Sequence, residues 1–287
     1  MQFLILSPHP EAHMMGFAFR TDGGKLLVID GGMEDLHNCL NAYGYLWDEL
    51  RRLTGSDRPH VDAWILTHPH EDHISELRRM CLAHPGGFSI GALYQHFPDV
   101  DRLPESSHVE EIDREYQRQF IRDYDSCFGP GAFAALKQVK AGDRFALDGL
   151  TVEFLYVPPL DRVTNMNNAS IVFRVTVKGQ VFLFMGDTGI SGGVDLAEAC
   201  GDALRCDVCQ VAHHGHGGAR ELVYTFVKPR VSIICTQKSL WDDRANNALA
   251  AKITYPEIAA SRLLITGVDG PCTFDLPMDT DKVGRCI

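Results

Sequence analysis

Apolar positions along the chain fall into two recurring patterns. Short runs, alternating or unbroken, read as strands: FLIL at 3–6, GFAFR at 16–20, KLLVID at 25–30, VDAWILT at 61–67 and ALYQHF at 92–97. Apolar residues three and four apart read as helices. One stripe covers 33–53 through Leu36, Leu40, Tyr43, Leu46, Trp47, Leu50 and Leu53, and another helix follows at 74–84. Beyond 140 the strand pattern resumes at 151–157, 170–177, 181–187, 206–214, 231–236, 262–266 and 271–276. Helical stretches lie between these runs at about 194–204, 219–227 and 244–261. Lys178-Gly179-Gln180 between two alternating runs marks a hairpin. Strands followed by helices occur in each half, and no Pro/Gly/Ser-rich linker parts them. The pattern predicts one α/β (α+β) domain over 1–287, in which two sheet-plus-helix layers pack together.

Residues 99–140 interrupt this alternation. Helical patterns at 105–127 and 131–139 form an insertion, the first rich in charge. Ile112, Tyr116, Phe120 and Tyr124 recur every four residues on it, an apolar stripe on a charged helix. Packing on the body accounts for the stripe. The sharper reading is a cap over an active site, with the aromatics facing substrate.

The densest chemistry follows the strand at 61–67. His68, His70, Glu71, Asp72 and His73 place three imidazoles and two carboxylates within six residues. Imidazole nitrogen and carboxylate oxygen are the donors that borderline divalent metals favour. A loop leaving a buried strand can turn His68 and His70 to one side and Asp72 and His73 to a neighbouring point, geometry for two adjacent ions. Glu71 is expected beside the ligands or facing solvent. The C-x-x-C pair Cys206 and Cys209 lies in an apolar run with no second Cys or His pair at similar spacing, and reads as structural.

THPHEDH matches the H-x-H-x-D-H signature and resembles the metallo-β-lactamase superfamily. The resemblance implies a four-layer αββα sandwich of two mixed β-sheets flanked by helices, holding one or two divalent metal ions, Zn2+ first and Mn2+ or Fe as alternatives. It implies that Asp30 in LLVIDGG supports the metal loop and that Asp187 in FLFMGDTG bridges two ions. A late ligand is implied in VAHHGHGG. His213 is the expected ligand there, as the first residue off its strand, leaving His214 or His216 to face the substrate as acid or anion stabiliser. The expected metal set is therefore His68, His70, Asp72, His73, Asp187 and His213. NNASIV at 167–172, FMGD, AHHGH and VKPRVSII resemble the branch with the hydrolase domain of the bacterial competence DNA-uptake channel protein and phosphorylcholine esterase. Three positions depart from relatives. Asn167 or Asn168 stands where many carry a third His, His216 replaces a Ser, and Tyr255-Pro256 stands for a His-Pro.

Composition narrows the substrate. Lys plus Arg is 27 and Asp plus Glu 38, a formal charge of −11, which disfavours nucleic acid and anionic membrane surfaces. Arg78, Arg79, Arg114, Arg118 and Arg122 could form a basic rim, yet Glu105, Glu110, Glu111, Asp113 and Glu115 share that region. The N-terminal apolar run is too short for a signal-peptide core, no window spans a bilayer, and nine scattered Cys suit reduced thiols, so a cytoplasmic protein is expected. The leading function is a binuclear metallohydrolase that uses a metal-bridging hydroxide on a small phosphodiester or related phosphate ester. Thioester, lactone or amide hydrolysis is the alternative. A di-iron oxidoreductase and a non-catalytic metal-binding scaffold rank lower.

Overall fold

The computed structural model describes residues 1–34, 44–103, 107–215, 217–246 and 262–286. The first part of the chain forms β1 (Gln2–Ile5), β2 (His13–Arg20), β3 (Leu26–Glu34), β4 (His60–Ile65) and β5 (Ser89–Tyr94). It also forms α1 (Tyr45–Thr54), α2 (Glu71–Ala83) and α3 (Glu111–Phe128). Next come β6 (Arg144–Leu147), β7 (Leu150–Tyr156), β8 (Val172–Val177), β9 (Gln180–Phe184), β10 (Val208–Gln210), β11 (Val231–Ile234) and β12 (Arg262–Ile265). Helices α4 (Ile190–Cys200), α5 (Glu221–Val227) and α6 (Lys238–Asn246) lie among them. β13 (Cys272–Asp275) returns to the first sheet and β14 (Arg285–Cys286) to the second.

The sheet orders are β13-β1-β2-β3-β4-β5 and β14-β12-β11-β10-β9-β8-β7-β6. Each sheet passes from antiparallel hairpins to parallel strands, at β3-β4-β5 and at β9-β10-β11-β12. Period-two alternation decides which side chains meet. Phe17 and Phe19 of β2 point between the sheets against Phe182 and Phe184 of β9, with ring centroids 5.1–5.2 Å apart. Burying one such ring contributes about 1.5–3 kcal/mol. Met14, Ala18 and Trp64 point the other way, under α1, α2 and α3, while Leu183 and Met185 pack beneath α4 and α5. The result is the expected αββα stack of two mixed sheets.

Most strand expectations match to within a few residues. The 178–180 hairpin forms, with Lys178 and Gly179 at φ +48° and +79°, the paired left-handed conformations of a type I′ turn. The expected helix at 131–139 is a run of turns, because Gly129-Pro130-Gly131 ends α3 and Gly131 sits at φ +75°. The four-residue stripe on α3 also splits. Four residues advance about 40° beyond one helical turn, so Phe120 and Tyr124 are buried while Ile112 has rotated out to 73% exposure. The 33–53 helix is seen as Tyr45–Thr54; residues 35–43, Glu105, His216 and most of 244–261, with Tyr255-Pro256, lie outside the described residues.

Candidate metal centre

The first two signature residues, His68 and His70, lie in the segment leaving β4, but Asp72 and His73 already belong to the first turn of α2. Gly32 of β3 makes this seating possible. A Cβ there would come within 2.3 Å of Glu71 O and His73 N, so the helix start lies directly on glycine backbone. Asp187 follows β9, and Gly186 at φ +50° turns the chain where a Cβ would meet Thr67 and Ser170 at 2.9 Å. The two sheets thus deliver donors from the C-terminal ends of β4, β9 and β10, the ends where parallel strands open toward ligands.

Asp30 organises one side. Its φ is +52°, and its buried carboxylate accepts the Thr67 amide at 2.7 Å and the Thr67 hydroxyl at 2.8 Å. It also lies 2.9 Å from His73 Nδ1. That partner fixes the proton on Nδ1 and leaves Nε2 facing Asp187 Oδ1 at 3.2 Å. His214 repeats the device: Nδ1 donates to the Cys235 carbonyl at 2.6 Å, and Nε2 faces Asp72 Oδ2 at 2.8 Å and Asp187 Oδ2 at 3.3 Å. Asp72, His73, Asp187 and His214 bring one donor each within 4.8 Å of one another, and His68, His70 and Asp187 do the same. Asp187 is common to both groups.

The structure exchanges the two adjacent histidines relative to the sequence expectation. His213 and His214 both adopt left-handed backbone, φ +51° and +52°, which swings the first imidazole out and the second in. His214 is buried; His213 keeps 30% of its side chain exposed, with Nε2 3.9 Å from Asp187 Oδ2. Each left-handed non-glycine residue costs roughly 1–3 kcal/mol, and close contacts hold the turn: a Cβ on Gly218 would meet Ala212 O at 2.5 Å. Strand alternation could not foresee this reversal.

The two asparagines also separate. Asn168 braces a loop: its Oδ1 accepts from the Gly189 amide at 3.1 Å and its Nδ2 donates to Ser191 Oγ at 2.9 Å. Asn167 faces the centre, with Nδ2 3.4 Å from His213 Nε2 and a buried Oδ1 that has no hydrogen-bond partner. His13 joins the centre unannounced by any motif. Its ring lies edge-on to His214 at 4.1 Å, with Nε2 3.6 Å from Asp72 Oδ2. Glu71 is exposed and, with Pro69, His70, Ile112, Asp113 and Tyr116, lines a cavity of about 240 Å³ beside Asp72. Cys206 and Cys209 are buried away from these donors, and burial, with Cys209 beside it, pushes the Cys206 thiol well up.

The electrostatics fit a bound cation. Burial pushes the Asp72 and Asp187 carboxyls up, but His73 and His214 outweigh it and hold both well below the usual range. Burial likewise pushes His73 and His214 down, yet the facing carboxylates raise His73 well above its ordinary value and His214 to about 10. His68 is held well below by burial and by His73 and His70. Protons therefore supply the positive charge that two buried carboxylates demand. The separations from Asp187 to His73 and His214, 3.2 and 3.3 Å, approach the edge, roughly 3.4 Å, of a tetrahedron of N and O donors about 2.1 Å from one ion, and His214 lies closer, 2.8 Å, to Asp72.

The model of the metallo-beta-lactamase superfamily matches residues 17–237. The chain belongs to this superfamily. Among curated superfamily relatives, ComE operon protein 3 from Bacillus subtilis (strain 168) is 25% identical over 188 residues, 65% of this chain. This chain spans about a fifth of that protein, 21% of its length. Two solved structures share the fold. The fold protein YhfI from Bacillus subtilis aligns over 96% of this chain and 100% of its own, at 12% identity and TM-score 0.52. CmlA, a diiron β-hydroxylase from Streptomyces venezuelae, aligns over 96% of this chain and 54% of its own, at 11% identity and TM-score 0.51. The superfamily binds divalent metals, and this chain's buried His/Asp cluster could hold them.

Proposed function

We propose that this chain is a binuclear metallohydrolase acting on a small phosphodiester or related phosphate ester. One observation carries the reading: Asp187 is shared by two donor groups, one wholly buried and the other buried but for His70, and His213 stands at their edge with its imidazole partly open to solvent. His68, His70 and Asp187 would hold one ion, and Asp72, His73, His214 and Asp187 the other. Two such ions supply a water acidified toward neutrality and positive charge for both the attacking and the leaving oxygen of an in-line displacement.

The chain's own groups do the rest. Asp30 and the Cys235 carbonyl keep His73 and His214 turned inward. Burial lowers the affinity of His213 for its proton, with His214 and His70 adding to this and the carboxylates opposing it. The role of proton donor to a leaving oxygen falls to His213 by position, since its ring is partly open to solvent and its Nε2 lies 3.9 Å from the shared Asp187. Arginine pairing favours a small substrate over a polynucleotide. Arg78 pairs with Asp123 at 2.6 Å, Arg79 with Glu76 at 2.8 Å, Arg118 with Asp101 at 2.7 Å and Arg122 with Glu115 at 2.8 Å. Arg114 is spent on the Val100 carbonyl and Ser107 Oγ. No described helix is long and apolar enough to cross a membrane.

The test is an ester panel on protein reconstituted separately with Zn2+, Mn2+ and Fe2+. Bis(p-nitrophenyl) phosphate should turn over faster than matched thioester, lactone and amide substrates. Preference for a carbonyl substrate with every metal would overturn the phosphate assignment and leave the binuclear site standing.

A further inference from the structure

We propose that Asp113, on the inserted helix α3, is a positioning residue for His70, backing its imidazole at the first metal position. The inference rests on the binuclear reading above, though not on its substrate. His70 Nδ1 lies 3.0 Å from His68 Nε2, so these two nitrogens face the same point. The opposite nitrogen, His70 Nε2, lies 3.5 Å from Asp113 Oδ2. This is an ion-pair contact, longer than a hydrogen bond; closed by a small rotation of Asp113, it would hold the proton on Nε2 and bare Nδ1 as the donor. The second position shows this construction in closed form twice, in Asp30 behind His73 at 2.9 Å and the Cys235 carbonyl behind His214 at 2.6 Å. The first position has more need of it, because its donor group is two imidazoles and the shared Asp187, without a carboxylate of its own.

The arrangement gives the insertion a purpose that its apolar stripe does not reveal. Phe120 and Tyr124 bury the C-terminal half of α3 against the body, and Arg78 of α2 grips Asp123 at 2.6 Å. That anchorage holds the first turn, with Asp113 on it, over the loop that carries His70. Asp113 keeps 28% of its side chain exposed, so its replacement disturbs little packing.

The experiment measures ion retention against a competing chelator on the full chain loaded with Zn2+. Asp113→Asn and Asp113→Ser should each weaken the more loosely held ion by about 10–100-fold, the usual effect of losing such a partner, and leave the tighter ion unchanged. Asp113→Glu should recover part of the loss. Asp101→Asn removes the same charge near the same end of α3, but its partner is Arg118 at 2.7 Å, and it should retain both ions. In the Co2+-substituted protein, the shifted N–H resonance of His70 should exchange faster with solvent in Asp113→Asn. Two ions held with unchanged affinity in either Asp113 variant would overturn the proposal alone, as would an equal loss in Asp101→Asn. Fewer than two ions in the wild-type chain would overturn the binuclear reading and this proposal with it.

Discussion

Replacing His213 and His214 one at a time separates a ligand from a proton donor. His214 contributes a nitrogen 2.8 Å from Asp72 and 3.3 Å from Asp187, and is buried. His214→Ala removes one of four donors at the second position. Loss of an outer partner typically weakens a metal site about 10–100-fold, so loss of a direct donor should exceed the upper end of that range. It also strips two buried carboxylates of the imidazolium that balances them, and breaking a buried pair costs about 3–5 kcal/mol. The metal-free variant should therefore unfold at clearly lower denaturant than the metal-free wild type.

His213→Ala should behave differently. Its ring is partly exposed and 3.9 Å from the shared carboxylate. Both ions should stay, with a rate loss of about 10²–10⁴ on substrates with poor leaving groups, the range for general acid–base catalysis. That loss should shrink on a nitrophenyl ester, whose leaving group needs little protonation. Elemental analysis of each variant, with rates on two esters of different leaving-group pKa, decides the matter. Wild-type metal content in His214→Ala, or loss of an ion in His213→Ala, would refute the exchange of roles.

Other perturbations give distinct outcomes. Asp187→Ala should lose ions from both positions and all hydrolytic activity; retention of two ions in elemental analysis would dismiss the shared carboxylate. Asn167→His should slow chelator extraction from the first position at least tenfold, whereas Asn168→His should only lower thermal stability, because Asn168 is engaged with Gly189 and Ser191; the opposite result would reverse their places. Gly32→Ala should destabilise by at least the 1–3 kcal/mol typical of overpacking, since its Cβ would lie 2.3 Å from backbone; an unchanged denaturant midpoint would contradict that seating. Metal uptake at pH 7–8 should release protons, because His73 and His214 hold theirs with raised affinity, His214 up to about 10. Apparent affinity should then fall roughly tenfold per pH unit on acidification for each proton displaced, and calorimetry in buffers of different ionisation enthalpy that found no proton release would count against it.

Local pattern carried the sandwich, because period-two and near-four-residue spacings report directly on which face of an element is buried. It carried His68, His70, Asp72, His73 and Asp187 into one place as well, since these sit in short motifs at strand ends. What it missed depends on tertiary placement. The order of His213 and His214 turns on two consecutive left-handed residues, a conformation with no signature in AHHG beyond the glycines around it. His13 begins a strand 55 residues before His68 and meets the centre only because β2 pairs with β3. Asn167 and Asn168 are chemically identical, and only their partners set them apart, His213 for the first and Gly189 and Ser191 for the second. The stripe on the insertion divides in a way that its spacing does not reveal: Phe120 and Tyr124 turn into the core, while Ile112 and Tyr116, with the polar Asp113, line the cavity beside Asp72.

Charge balance ties these observations together. Asp30, Asp72 and Asp187 are all buried within one small region, and isolated buried carboxylates are too costly to persist. Asp30 answers this locally: burial pushes its carboxyl up, with His73 and Thr67 opposing, so it can remain anionic only through those contacts. Asp72 and Asp187 face each other's imidazole partners instead, and stay ionised because His73 and His214 are protonated between them. A divalent ion that replaced those protons would keep the charge and gain direct coordination, so the residues that balance one another's charge in the fold are also those that would exchange protons for metal. At the first position the donor group is two imidazoles and the shared Asp187, with Asp72 belonging to the other group, and burial, with His73 and His70 adding to it, holds the His68 imidazole well below its ordinary proton affinity, ready as a donor. Affinity there must come from neutral imidazoles, the shared Asp187 and whatever stands behind His70. On the proposed binuclear reading, that asymmetry would make an ion at the first position the more exchangeable of the two, and would place control of its retention on the helix that carries Asp113.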